Sequence, residues 1–480
     1  MKKIALCLAL VGVLALSGQA IAEICTIDDV PAATLLLPYF EVNLGAADGI
    51  TTLFSVNNAS AGAAIAHITV WTDQSIPTLD FDVYLTGYDV QTINVRDIFN
   101  GNLPVTADRG ADTIDGLDDD SPSPPPGNTQ AANVNPFTGP FTPGVPTEFD
   151  FGGTSGPCVA PYTNPVLDNF RVTQLRLAHT GQFASAYGGC LGFDYGDNIV
   201  RGYITVDSVT QCNLLFPSSA GYFSGGIADN RNVLWGDYFY VEPGDNFAQG
   251  ETLVHVESCR GAQFTAFPTY DGVGNGAGFC PFTPGEYTFY GRYAAVAGQD
   301  QREPLATTFA TRFVNGGQFD GGTDLIIWRD AKTIPTGTSG PYNCANFDGP
   351  PAWFPLNQTD VVAFDEQENP QDLCFTGDIV SPPFGGAETC FPLEAMRVSL
   401  LGGNVAGSDP TPQADFGWMY LNLNSAISGV TYPANNPSIM QNWVTTLMKA
   451  EGRFAVGFDA IKLDSACEPD NVIFIASGSS

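Results

Sequence analysis

The stretch Leu79–Leu85, LDFDVYL, sets the reading of the fold. Leu79, Phe81, Val83 and Leu85 alternate with Asp80, Asp82 and Tyr84. Successive side chains of a strand point to opposite faces, so the pattern predicts one buried apolar row and one row in water. The runs ATLLLPYF, ITTLFSVNN and AAIAHITVW before it, and QTINV after it, are equally short and rich in β-branched and aromatic residues. TGYD, Thr86–Asp89, separates two of these runs and reads as a hairpin connection. Strands at this spacing predict a mainly β chain. The architecture expected is antiparallel β-sandwich modules, immunoglobulin-like or jelly-roll-like, with long Pro/Gly-rich loops and little helix.

The same signature returns downstream. NIVRGYITV, VLWGDYFYV, TLVHVES, TTFATRFVN and TDLIIWRD form a second group, and VVAFD, AMRVSLL, FGWMYLNL and RFAVGFDAIKL a third. PVLDNFRVTQLRLAHTG has the spacing of a helix, with Gly181 placed to stop it. NWVTTLMKAEGRFAVGFDA reads as a hairpin turning at Glu451-Gly452. Between the first two groups, Gly110 to Phe170 holds no Lys or Arg, and Pro122 to Pro146 holds eight prolines. Proline cannot donate to a ladder, so this stretch is an insertion or linker and not a central strand. The expected organisation is a signal at 1–22, a sandwich-like region at 23–105 and an acidic Pro-rich insertion at 106–165. A second β-rich region follows at 166–335 and a third at 336–480, which stands alone or packs with the second. GTSGP occurs at Gly153–Pro157 and Gly337–Pro341, and PFTPG at Pro140–Gly144 and Pro281–Gly285. Shared turn chemistry is the reading of both repeats, ahead of duplicated modules; in PFTPG, Pro then Gly fits the centre of a type II turn.

The first residues, MKKIALCLALVGVLALSGQAIAE, carry Lys2 and Lys3, an apolar run from Ile4 to Leu16, and the small residues Ala20 and Ala22. This is the pattern of a secretory signal cut after Ala22, and the expected location is extracellular or periplasmic. Cys7 would leave with the signal. The ten remaining cysteines are Cys25, Cys158, Cys190, Cys212, Cys259, Cys280, Cys344, Cys374, Cys390 and Cys467. None stands closer to another than Cys374 to Cys390, so there is no CxxC knuckle, and in an oxidising compartment they read as disulfide candidates. The formal net charge is −33, and it becomes more negative without Lys2 and Lys3. Such a chain repels phosphate backbones, which argues against nucleic acid and anionic lipid as partners. Glycans and other surface proteins remain as partner classes. No later stretch has the length and apolar character of a membrane-crossing helix.

Several catalytic signatures are missing. There is no Gly-Lys dipeptide and hence no P-loop, no His followed by Glu, and no serine in GxSxG. GVGNGAG at Gly272–Gly278 does not fit a dinucleotide fingerprint. Three histidines are present, His67, His179 and His255. His255 and Glu257 share one face of a strand, and together with His67 they form a candidate metal or acid/base cluster if folding gathers them. Otherwise the histidines belong to half-exposed sheets. The run DTIDGLDDDSPSPPPG, Asp112–Gly127, is read first as a solvated loop and second as a calcium site using Asp112, Asp115, Asp118 and Asp120. Its density suits calcium, but it lacks the EF-hand spacing. Trp71, Trp235, Trp328 and Trp418 lie in predicted strands and are assigned to the core.

The function that fits is a secreted, non-catalytic β protein with a structural, adhesive or envelope-associated role, requiring no cofactor, with calcium as the one candidate ion. The alternatives are a secreted hydrolase acting on glycans or another polymer, and a glycan-binding module. The length and spacing of the strands say nothing about oligomeric state.

Overall fold

The computed structural model describes residues 30–62, 64–85, 87–104, 167–211, 215–219, 221–258, 288–290, 300–330, 356, 358–373, 390–404, 410–424 and 440–464. These residues are mainly β, in four antiparallel sheets. Strands β1 (Thr34–Asn43), β3 (Ala64–Trp71), β4 (Pro77–Leu85), β6 (Ile199–Val209) and β10 (Val254–Val256) make sheet 1, in the order β10-β1-β6-β3-β4. Sheet 2 takes β2 (Thr51–Asn58), β5 (Val90–Asn94), β8 (Asp237–Glu242) and β9 (Phe247–Thr252) in the order β5-β2-β8-β9, with β7 (Leu234–Trp235) also paired to β2.

Strands predicted as one N-terminal module are therefore interleaved with later ones. β6 lies between β1 and β3, and β8 pairs with β2, so residues 34–94 share both sheets with residues 199–256. TGYD is not a hairpin: β4 belongs to sheet 1 and β5 to sheet 2, and the connection passes between sheets. The run read as TLVHVES divides in the same way. β9 ends at Thr252 in sheet 2, β10 begins at Val254 in sheet 1, and Leu253 alone joins them.

In the C-terminal half, β11 (Thr308–Val314), β13 (Asp360–Asp365), β14 (Pro370–Leu373), β16 (Phe416–Asn422) and β19 (Ile461–Lys462) form sheet 3. Sheet 4 consists of β12 (Gly322–Asp330), β15 (Ala395–Ser399), β17 (Gln441–Ala450) and β18 (Phe454–Asp459). β17 and β18 form the expected hairpin, and Gly452 sits in its turn at φ +66°, a left-handed conformation that glycine adopts without strain. Helix α1 (Val95–Phe99) follows β5, and α2 (Asn169–His179) occupies the segment with helical spacing. Asp168 caps α2 by accepting from the Arg171 N–H, and Gly181 follows its end at φ +72°.

Sheet 4 gives one face to each of two cores. Ile326, Trp328, Ala395, Trp443 and Leu447 join the core of sheets 1 and 2, while Leu325, Ile327, Met396, Val398 and Val444 join the core of sheet 3. The register explains this division, since Trp328 stands opposite Trp443 and Ala395, and Ile327 opposite Val444 and Met396. A strand buried on both faces needs an unbroken apolar run, and LIIW in β12 provides it.

The junction between sheets 1 and 4 is also ionic. Arg397 of β15 pairs with Glu41 of β1 and, at 2.7 Å, with Asp324 of β12; Lys449 of β17 reaches the same Asp324 oxygen at 2.8 Å. Two positive groups and two carboxylates thus balance inside the junction. Removing one partner of a buried pair strands the others, which typically costs about 3–5 kcal/mol. Arg397→Ala is therefore expected to lower the unfolding free energy by roughly that amount in a urea titration. Adding Glu41→Gln should recover part of the loss.

Candidate functional site

The clearest chemical feature lies on the second face of sheet 1. Antiparallel neighbours place Asp82, His67, Asp207 and Thr34 in one row across β4, β3, β6 and β1, with Asp80, Thr69 and Thr205 in the next. All seven side chains are buried. LDFDVYL keeps its apolar row, since Leu79, Phe81, Val83 and Leu85 are in the core, but the expected water-facing row is wrong for Asp80 and Asp82. The reason is that sheet 1 is covered on both faces. Tyr203, two residues along from Thr205 on this face, stacks on Trp71 and meets the edge of Trp328 from sheet 4. Tyr222 and Tyr290 cover the other end.

Interior charges must be met by hydrogen bonds or opposite charges. Asp207 accepts from three hydroxyls: Thr34 at 2.5 Å, Tyr222 at 2.7 Å and Tyr290 at 3.0 Å. Arg302, itself buried, donates its Nε–H to the Thr34 oxygen at 2.9 Å. His67 Nδ1 lies 2.8 Å from Asp82 Oδ1, and its Nε2 lies 3.8 Å from Asp80 Oδ2. The His67 ring also packs against Tyr222, with centroids 5.6 Å apart. Burial pushes the His67 imidazole down, but the Asp82 carboxylate, aided by Asp80 and Asp207, outweighs it and holds the group above its ordinary value. Burial pushes the Asp80 carboxyl up to about 7, His67 pulling it back and Asp82 adding to the rise.

The other histidines serve packing. His179 at the end of α2 has Nδ1 at 2.7 Å from the Arg201 carbonyl, to which it donates, and Nε2 at 2.8 Å from the Thr78 hydroxyl. Burial holds it down to about 4, so it stays neutral and pins α2 to sheet 1. His255 donates Nδ1–H to the Val30 carbonyl and accepts from the Gly236 N–H. All three histidines are buried, not half-exposed as expected.

The proposed cluster of His67, His255 and Glu257 does not assemble around a common point. In register, His67 shares its face with Asp207, Thr34 and Val256, which puts His255 on the opposite face of sheet 1. Glu257 lies beyond β10, its backbone N–H bonded to Glu303. Among the described residues, no group of three or more His, Cys, Asp or Glu side chains is placed to hold a metal ion. The acidic run with Asp112, Asp115, Asp118 and Asp120, both turn repeats and Gly272–Gly278 lie outside the described residues. Of the cysteine candidates, Cys190 and Cys390 are described, and both are buried.

Sequence reasoning singled out His67 but missed its partners Asp80, Asp82 and Asp207. The signal was present as acids within otherwise apolar strands, in LDFDVYL and in IVRGYITVDSV. The tryptophans divide evenly. Trp71 and Trp328 are core residues as expected, whereas Trp235 and Trp418 are 41% and 37% exposed. Comparison with protein-family models, with curated proteins and with solved structures found no match.

The buried carboxyl ties stability to pH. In the unfolded chain Asp80 loses its proton near the ordinary value of 3.8, whereas in the native state it holds it to about 7. Native stability therefore falls as pH rises through that window and levels off above it. Asp80→Asn should abolish this part of the slope. Thermal melts at pH 4 to 8 are expected to show the variant gaining on the wild type as pH rises, by a few kcal/mol in order of magnitude. Parallel curves for the two proteins would contradict the assignment.

Proposed function

We propose that this chain is an exported, non-catalytic β protein with a structural, adhesive or envelope-associated role. The observation that carries this reading is the closure of the His67–Asp82 pair. An imidazole hydrogen-bonded to a carboxylate has the makings of a base and its orienting partner. Here both side chains are fully buried, under Tyr222 and between covered strands, so no substrate reaches them. Their hydrogen bonds hold sheet 1 to its cover, which is scaffold chemistry.

Export is supported by the signal-like segment at Met1–Ala22 and by the cysteine count. The ten cysteines that follow the signal-like segment, the buried Cys190 and Cys390 among them, would pair as disulfides in an oxidising destination. The acidic run at Asp112–Asp120 is, in this reading, a solvated loop first, with calcium as its one candidate ion. A glycan-binding role is the second reading, favoured by the exposed Trp235 and Trp418.

Two measurements test the proposal. Purified protein is expected to show no saturable turnover on panels of polysaccharide, ester and peptide substrates. Turnover that disappears in Asp82→Asn would make the chain an enzyme. Thiol titration of the exported protein after denaturation should find no free cysteine, and ten reactive thiols would overturn the oxidised framework.

A further inference from the structure

The outer face of sheet 2 carries exposed aromatic side chains beside buried polar ones. Register places Trp235, Asp237 and Phe239 on one side of β7 and β8, beside Asn57, Ser55 and Leu53 of β2. Trp235 and Phe239 are 41% and 44% exposed. Four residues of strand separate their rings by roughly 13 Å. Phe239 lies across Gly250 of β9: a Cβ at that glycine would come within 2.3 Å of the Phe239 ring. The ring thus rests on bare backbone with its outer side open.

Between the two aromatic residues runs a polar relay. Ser55 donates its hydroxyl to Asp237 Oδ1 at 2.7 Å and accepts from Asn57 Nδ2 at 3.0 Å. Asn57 is buried in the row between Val90 and Trp235, and its Oδ1 has no hydrogen-bond partner among the described residues. An unmatched buried acceptor is costly to leave unmet.

We propose that this face binds a neutral, unbranched glycan, its sugar rings lying over Trp235 and Phe239 and its hydroxyls meeting Asp237 and Asn57. The inference rests on the non-catalytic reading above and names the partner class. Three features select this occupant. A purely apolar partner would strip water from the Asp237 carboxylate and leave Asn57 Oδ1 unmet. A polyanion meets no attraction, since no strand of sheet 2 carries Lys or Arg and the chain as a whole stands at −33. A sugar chain offers both apolar C–H faces and hydroxyls at the spacing of its rings. Its hydroxyl sliding beneath the Trp235 edge supplies the donor that Asn57 Oδ1 lacks.

The test is calorimetric titration of the full chain with neutral gluco-, xylo- and manno-hexasaccharides, with hyaluronan as the anionic control. At least one neutral hexasaccharide is expected to bind saturably, and hyaluronan not to bind. Trp235→Ala and Phe239→Ala should each weaken that binding at least tenfold. Both side chains are exposed, so unchanged melting temperatures are expected and confirm folding. Absence of saturable binding, or binding that both variants leave intact, overturns the proposal. So does a shift of oligomeric state in Trp235→Ala by sedimentation, which would make the face a contact between copies. Counting new reducing ends in the same samples keeps the two readings separate. Their appearance overturns the non-catalytic reading, whereas missing binding without them overturns the glycan site alone.

Discussion

The burial of sheet 1 on both faces governs this structure. One face meets the apolar core shared with sheet 2, and the other meets Trp328 of sheet 4 and the tyrosine cover. That second face carries Asp80, Asp82, Asp207 and His67, so its charges must be neutralised by internal partners. Hydroxyls from Thr34, Tyr222 and Tyr290 meet Asp207, and one imidazole stands between two carboxylates. The cover is positioned by hydrogen bonds of fixed direction, where an apolar layer would have left its register free.

The same logic extends to the other interior charges. Arg397 joins sheet 4 to Glu41 of β1, while Asp324 holds both Arg397 and Lys449. Arg329 of β12, also buried, donates to the carbonyls of Phe391 and Leu423 at 2.6 and 2.8 Å. Burial brings that guanidinium down to about 9, with Glu394 opposing the shift. A chain with few cations thus spends several of them at sheet junctions. These pairs give modest net stability against a well-packed apolar alternative, but they specify which sheets meet.

Polarity is closed in one part of the molecule and open in another. The acid–base chemistry is sealed inside sheet 1, while the aromatic rings of Trp235 and Phe239 stand on an open strand face.

Local pattern was enough to read most of the strands (but not β9 or β14), the helix at Asn169–His179 with its glycine stop, and the hairpin at Gly452. Each depends on contacts or dihedral preferences within a few residues. The apolar row of LDFDVYL was legible for the same reason. What covers its acidic row was not, because alternation reports two faces and says nothing of what packs on either. Strand partners were equally hidden: β6 inserts between β1 and β3 from more than a hundred residues away. The fates of TGYD and Trp235 were decided by that long-range pairing, which sent β4 and β5 to different sheets and left Trp235 on an outer face. Composition and periodicity therefore determined the class of structure and the place of most of its elements. Only the tertiary arrangement decided which polar side chains became interior and which aromatic ones met water, since burial is a property of the assembled sheets.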